Sequence, residues 1–274
     1  MAVALSLIAM VAACTSVPQA DATAEANAEP ATPASPWSVA SGGVAVPVQG
    51  DASAGNPHAW QHYPLPGKQP TRFAYTRKDG RDAMAVTAVS SASMLRQKVR
   101  IEPAELGEVR FSWKVPALIA QADMALRESD DSPVRVVLAF EGDRSKFSAR
   151  NAMLSELARA LTGEELPYAT LMYVWCNDRA PGTVIHSPRT DRIRKLVVQS
   201  GGAQLNQWLD YERDIRADYE KAFGEAPGAL VGIGIMSDTD NTRSTTHAWY
   251  GPVRLLPVAA ATRPAPPTAS TTLK

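Results

Sequence analysis

Cysteine is nearly missing from this chain of 274 residues, which holds Cys14 and Cys176 alone. If processing consumes the first, the second has no partner within the chain, so disulfides do not hold the fold. An excess of charge of either sign is missing too. Lys plus Arg total 28 and Asp plus Glu total 28, which leaves no global field to draw in nucleic acid or a polyanionic surface. The apolar run at 2–13, broken by Ser6, is too short to span a bilayer as a helix. G-x-S-x-G, G-x-x-x-x-G-K and G-x-G-x-x-G do not occur, which removes the common hydrolase elbow and the nucleotide loops, and no internal repeat is visible. Neither nucleic acid nor a nucleotide is therefore expected as a partner. What remains, 45% hydrophobic and 20% charged, can bury a substantial core once the polar ends are set aside.

The run at 2–13 suits the h-region of a signal peptide, and Val11-Ala12-Ala13-Cys14 resembles the bacterial lipobox, in which small residues admit the peptidase and the thiol receives lipid. By that resemblance residues 1–14 are a lipoprotein leader with Cys14 as the lipidation site, anchored by acyl chains worth roughly 0.8 kcal/mol per buried methylene. The membrane is then a partner through the lipid anchor only. The alternative is an ordinary cleaved signal with an incidental cysteine. No Lys or Arg precedes the run, so the basic n-region of such a leader is expected upstream of Met1. Thr15 and Ser16 follow without an aspartate, which by resemblance to sorting patterns implies the outer membrane, facing the periplasm.

Residues 15–57 are rich in Ala, Pro, Ser, Thr and Gly, with Trp37 their only aromatic residue. They are expected to be a disordered tether with a root-mean-square reach of roughly 35 Å. Residues 257–274, with Pro264, Pro266 and Pro267 among Ala and Thr, read as a second disordered segment. The folded unit is 58–256. Within it, short β-favouring runs at 72–76, 85–90, 109–114, 134–140, 170–175, 193–199, near Gln207, at 230–236 and at 247–255 predict an all-β-dominated, mostly antiparallel sandwich. In the run at 230–236, Val231, Ile233 and Ile235 fill one face, while Gly232 and Gly234 leave the other bare for a large neighbour. Two short helices are inserted, one carried by Leu154, Leu157 and Leu161, the other by Ile215, Tyr219, Ala222 and Phe223 before Gly224.

Several motifs occur in a characteristic order: Ser112-Trp113-Lys114-Val115, Asp130-Asp131-Ser132-Pro133, Tyr173-Val174-Trp175, Thr190-Asp191-Arg192, Ser200-Gly201-Gly202, Trp208, Arg213-Asp214-Ile215, Ala222-Phe223-Gly224, Met236–Thr242 and Tyr250-Gly251. As an ordered set over most of residues 70–256 they resemble a bacterial family, domain of unknown function 3047. The resemblance implies an exported envelope protein and a jelly-roll sandwich of the kind used by carbohydrate-binding modules. It brings no established activity. Cys176 stands where the family pattern leads one to expect Gly or Ala, so thiol chemistry is not implied.

The candidate site residues come from three clusters. Asp238-Thr239-Asp240-Asn241-Thr242 follows a strand, where convergent oxygens suit sugar hydroxyls or a structural calcium held by Asp238 and Asp240; Arg243 stands where a calcium loop needs glycine, and a turn held by Asx hydrogen bonds is the alternative. Of the tryptophans 113, 175, 208 and 249, most read as core, but Trp175 ends a strand before polar Asn177 and Asp178, and its ring is expected at a rim where it stacks on a pyranose. Arg192 and Arg194 share one strand face after Arg189, and there a carboxylated sugar docks, unless that face is a solvated one laced with ion pairs. Asp130/Asp131, Glu141/Asp143 and Asp238/Asp240 are near pairs, but a glycosidase needs two carboxylates roughly 5–10 Å apart in unlike environments, which neighbouring positions cannot establish. His58 and His62 lack a zinc pattern, and Cys176 with His186 reads as a packed thiol.

These features point to a cell-envelope lipoprotein whose jelly-roll-like domain binds a glycan without cleaving it, through Trp175, Asn177, Arg192, Arg194, Asp238, Asp240 and Asn241. One alternative is a structural or assembly factor that binds envelope proteins. The other is a glycan-cleaving enzyme, a glycoside hydrolase or polysaccharide lyase. An open groove favours the first, a convex apolar patch the second, and opposed carboxylates within a groove the third.

Overall fold

The structure, a computed structural model, describes residues 60–256 and Val258. They fall within Ala34–Lys274, one of the two units into which the chain divides. The other unit, Met1–Pro33, lies outside the described residues, and so do the leader with Cys14, the 15–57 tether and all of the 257–274 tail except Val258. The described chain runs through β1 (Gln61–Pro64), β2 (Arg72–Lys78), β3 (Arg81–Val89), β4 (Ala92–Ile101), β5 (Glu108–Lys114), β6 (Ser132–Phe140), α1 (Ala149–Thr162), β7 (Ala169–Cys176), β8 (Val184–His186), β9 (Ile193–Ser200), β10 (Trp208–Asp214), α2 (Ile215–Phe223), β11 (Leu230–Asp238), β12 (Thr245–Tyr250) and β13 (Arg254–Leu256).

Seven strands form one sheet in the order β1-β4-β11-β6-β7-β9-β8, and the second sheet has the order β10-β5-β12-β3-β2 with β13 beside β5. Among the described pairings only β7 with β9 is parallel. The expected sandwich is what forms. The reason is visible in β6, where Val134, Val136, Leu138 and Phe140 enter the shared core while Arg135, Val137 and Ala139 turn away from it. Trp113 and Tyr250 from the second sheet meet Tyr173 and Trp175 from the first in the same core, and Phe111 stacks on Tyr173 across the interface with centroids 5.4 Å apart. Fully burying each such side chain contributes about 1.5–3 kcal/mol.

Three local departures from the expected pattern have physical causes. The run at 247–255 breaks into β12 and β13, because Gly251 sits so close to β5 that a Cβ there would lie 2.0 Å from Ser112 Oγ, and Pro252 has no ladder donor. β4 was absent from the expected strands although its residues alternate strictly: Leu95, Val99 and Ile101 point to the core, and Arg96, Lys98 and Arg100 point away. In α1 two of the three leucines expected to face the core, Leu157 and Leu161, are turned outward, and Leu154 is half-buried. Met153, Leu157 and Leu161 are 63%, 52% and 63% exposed, whereas polar Asn151 and Ser155 are buried. Hydrogen bonds choose that face: Asn151 donates to Asp191 and accepts from Thr190 Oγ1 at 2.7 Å, and Ser155 Oγ accepts from Arg144 at 2.9 Å. α2 behaves as its periodicity predicts, with Ile215, Tyr219 and Ala222 buried, Asp214 as its N-cap and Gly224 ending it at φ 72°. No helix among the described residues is long and apolar enough to cross a membrane.

Candidate ligand-binding cleft

The face of the seven-stranded sheet that points away from the core carries an open cleft of about 640 Å³. Its floor is apolar and low: Met94 of β4, Gly232, Gly234 and Met236 of β11, Val137 and Ala139 of β6, Met172 of β7 and Ile193 of β9. The glycine face of β11, expected to receive a large neighbour, is this floor. A Cβ on Gly232 would meet only Ala139 Cβ at 3.5 Å and Gln97 O at 3.8 Å, both ordinary contacts, while one on Gly234 would strike Met94 Sδ at 2.6 Å. The register of β11 slips between Leu230 and Gly232, so Leu230, Ile233 and Ile235 fill the core and Val231 lines the cleft instead of joining them.

One end of the cleft is built on buried charge. A second slip, between Met236 and Asp238, opens the β11–β6 ladder, and the Tyr250 hydroxyl fills the gap by accepting from Arg135 N at 3.0 Å and donating to Met236 O at 2.6 Å. Asp238 thereby faces Arg135, which forks onto it through Nε at 2.8 Å and Nη2 at 3.0 Å, with Ser132 N adding a third bond at 3.1 Å. Arg135 Nη2 also donates to Asp130 Oδ1 at 3.1 Å, and Lys195 Nζ reaches the same oxygen at 2.7 Å and Met124 O at 2.7 Å. Burial, reinforced by Asp131 and Asp130, pushes the Asp238 carboxyl up to about 7 in spite of the Arg135 fork. Burial and the neighbouring Arg135 bring Lys195 down to about 8 against the pull of Asp130. Burial alone would weaken Arg135 as a cation, but Asp238 and Asp130 outweigh it and hold its value above the ordinary range. The network thus holds an acid whose value is raised and an amine whose value is lowered in one cleft wall.

Asp131 completes the cluster from behind. Its carboxylate accepts from Asn241 Nδ2 at 2.9 Å and from Thr242 N and Oγ1, both at 2.6 Å, which locks the turn between β11 and β12. Oxygens of Asp131, Asp238 and Asp240 lie within 4.8 Å of one another, close enough for one ion to touch all three. Calcium asks for six to eight oxygens. Here Asp131 is filled by the turn, Asp238 by Arg135, and Asp240 is paired with Lys68, so an ion entering the set has to displace Lys68 first.

The structure scatters the remaining expected site residues. Asp238, Asp240 and Asn241 line the cleft, although the Asn241 amide is engaged with Asp131 and Asp130 O and accepts from Arg189 at 3.0 Å. Trp175, expected at a rim, is 1% exposed between the sheets, because Leu171, Tyr173 and Trp175 share the inward parity of β7; its Nε1 donates to Gly201 O at 3.0 Å. Asn177 fastens a loop by donating to Ile119 O and Ala122 O at 2.9 and 3.0 Å. Arg192 and Arg194 have the wrong parity: Ile193 and Lys195 line the cleft, whereas Arg192 pairs with Glu225 at 3.0 Å over the Tyr168 ring and Arg194 packs over Phe223. Arg135, Lys195 and the basic face of β4 were not anticipated. For Arg135 the signal was a lone cation inside an apolar run, Val134-Arg135-Val136, which a buried strand keeps only when it is paired.

No curated protein matches the chain. Among solved structures it is similar to the xyloglucanase domain of NopAA, a type three effector from Sinorhizobium fredii, in complex with cellobiose, at 8% identity and a TM-score of 0.36, covering 75% of this chain and 100% of that one. It is also similar to the endo-1,4-β-glucanase CelB2, a cellulase, at 8% identity and a TM-score of 0.39, covering 74% of this chain and 98% of that one. At this distance the chemistry of the cleft rests on its own residues. The family model described as "Protein of unknown function (DUF3047)" matches residues 58–254, and the chain belongs to that family.

Proposed function

We propose that the domain binds a glycan in the cleft of the seven-stranded sheet and does not cleave it. The observation that carries this reading is the cleft itself, about 640 Å³ of open space over a floor bared by Gly232 and Gly234. A flat apolar floor suits the C–H faces of sugar rings, and walls that alternate Arg, Lys, Asp and Glu supply both donors and acceptors for hydroxyls. The carboxylates of the cleft support binding over cleavage, since each faces a cation: Asp130 and Asp238 the buried Lys195 and Arg135, Asp240 the exposed Lys68, and Glu141, Glu164 and Glu165 the partly exposed Arg100, Arg96 with Lys98, and Arg144. The test is a screen of envelope polysaccharides for binding and turnover, with Gly232→Leu as the control, since that side chain has room to enter the cleft without touching the core. Binding in the wild type that Gly232→Leu removes is the expected result. Binding unchanged in the variant moves the ligand elsewhere, and release of reducing ends makes the domain an enzyme.

A second reading, protein assembly, is favoured by one observation: the outward stripe Met153, Leu157 and Leu161 on α1, with Leu166 beyond it. Capture of a protein partner that Leu157→Lys abolishes, in the absence of any glycan binding, would support it. We also place the domain on a lipid anchor at Cys14, at the outer membrane facing the periplasm, on the strength of the lipobox resemblance. Metabolic labelling with a palmitate analogue is then expected to mark the wild-type chain and not Cys14→Ser.

A further inference from the structure

Resting on the glycan reading of the cleft, we infer that its ligand is an acidic glycan, whose carboxylate is taken at Arg96 and Lys98 in the place now held by Glu164. The two cations stand on the cleft face of β4, two residues and so roughly 7 Å of strand apart. Arg96 is held over the Tyr63 ring at 3.7 Å, which steadies its guanidinium and leaves the edge free to grip a carboxylate. One carboxylate serves both cations: Glu164 meets Arg96 Nη2 at 2.6 Å and Lys98 Nζ at 2.9 Å. Arg100, by contrast, is countered twice, by Glu102 at 2.8 Å and Glu141 at 3.0 Å. Across the three cations the charges balance, but Arg96 and Lys98 share a single carboxylate where Arg100 has two.

The placeholder is replaceable. Glu164 follows Gly163, the left-handed residue at φ 76° that ends α1, so it is delivered by a loop and not by the sheet. Its side chain is 35% exposed, and that of Lys98 is 49% exposed, a setting in which an ion pair contributes little and is cheaply exchanged for another. The acids at the opposite end of the cleft are held in buried networks that an incoming ligand cannot open at comparable cost. A ligand carboxylate reproduces the Glu164 contacts like for like, which a neutral hydroxyl does not, because charge-assisted bonds are about twice as strong.

The experiment is calorimetric titration of the full chain with hexagalacturonate and with cellohexaose, for the wild type, Lys98→Ala and Glu164→Gln, at low and at physiological ionic strength. The wild type is expected to bind the acidic sugar about tenfold more tightly than the neutral one, with the margin shrinking as salt rises. Glu164→Gln should tighten the acidic sugar severalfold and Lys98→Ala should weaken it about three- to fivefold, each moving the acidic sugar more than the neutral one. Equal binding of both sugars, indifferent to both substitutions, overturns the acidic subsite and leaves the glycan cleft standing. Binding of neither sugar by the wild type overturns both.

Discussion

The two faces of the seven-stranded sheet are made from the same strands, residues taken alternately, yet they carry different chemistry. On the inner face of β6 and β11, Val136, Leu138, Phe140, Ile233 and Ile235 interlock with the second sheet. On the outer face, one position along, stand Arg135, Val137, Ala139, Gly232 and Gly234. The inner face needs volume and the outer face needs its absence, so the same size of substitution has opposite consequences on adjacent residues. The charge at the end of the outer face is as deeply buried as the core, which makes it part of what holds the sheet as well as part of the cleft.

The sharpest way to break that comparison is Arg135→Met. It leaves Asp238 and Asp130 buried without their shared cation, and urea unfolding at pH 7 should lose about 3–5 kcal/mol, a cost of the order seen when one partner of a buried pair is removed. On the inner face Leu138→Ala should cost about 2–5 kcal/mol by emptying a filled site, whereas Gly232→Leu on the outer face should cost less than about 1 kcal/mol by the same assay, since its added atoms meet open space. The buried carboxyl gives a pH signature. Because the folded-state value of Asp238 lies at about 7 and its ordinary value is 3.8, the folded chain binds more protons between those limits, and its contribution to stability falls as pH rises through that interval. Lys195 works in the opposite sense higher up: its value drops from 10.5 to about 8, so stability is regained as pH rises across that range. Comparing unfolding free energies of the wild type and Asp238→Asn from pH 4 to 7 checks this, because only the wild type should lose stability progressively as pH rises through that window. The smallest effect is expected on α1, where Leu157→Lys and Leu161→Lys should change stability by no more than about 0.5 kcal/mol in thermal unfolding.

How much of this was legible beforehand follows the same division. The strands of the core announced themselves, because Val134–Phe140 and Leu230–Met236 are long apolar or alternating runs, and burying such runs is what chiefly drives the chain to fold. The acidic loop at Asp238 and Asp240 was legible as a place where oxygens collect just past a buried strand, and both residues line the cleft. The tryptophan was not: one residue of parity decides whether Trp175 meets solvent or the second sheet, and a strand end in sequence does not reveal it. The same single step turns Arg192 and Arg194 away from the cleft that Ile193 and Lys195 line. For α1 the leucine spacing was real, but the hydrogen bonds that Asn151 donates to Asp191 and accepts from Thr190, and that Ser155 accepts from Arg144, outweighed it. Those partners lie outside the helix, and its own periodicity does not contain them. β4 was readable from its alternation and hidden only by its charge.

The central claim is that the outer face of the seven-stranded sheet receives the ligand, and methyl NMR of the domain titrated with an acidic oligosaccharide tests it most directly. The methyls of Met94, Val137, Met172, Ile193 and Met236 should shift, while those of Val136, Leu138 and Ile235 on the inner face stay still. Shifts confined to Met153, Leu157 and Leu161 on α1, or distributed evenly over both faces, would contradict it.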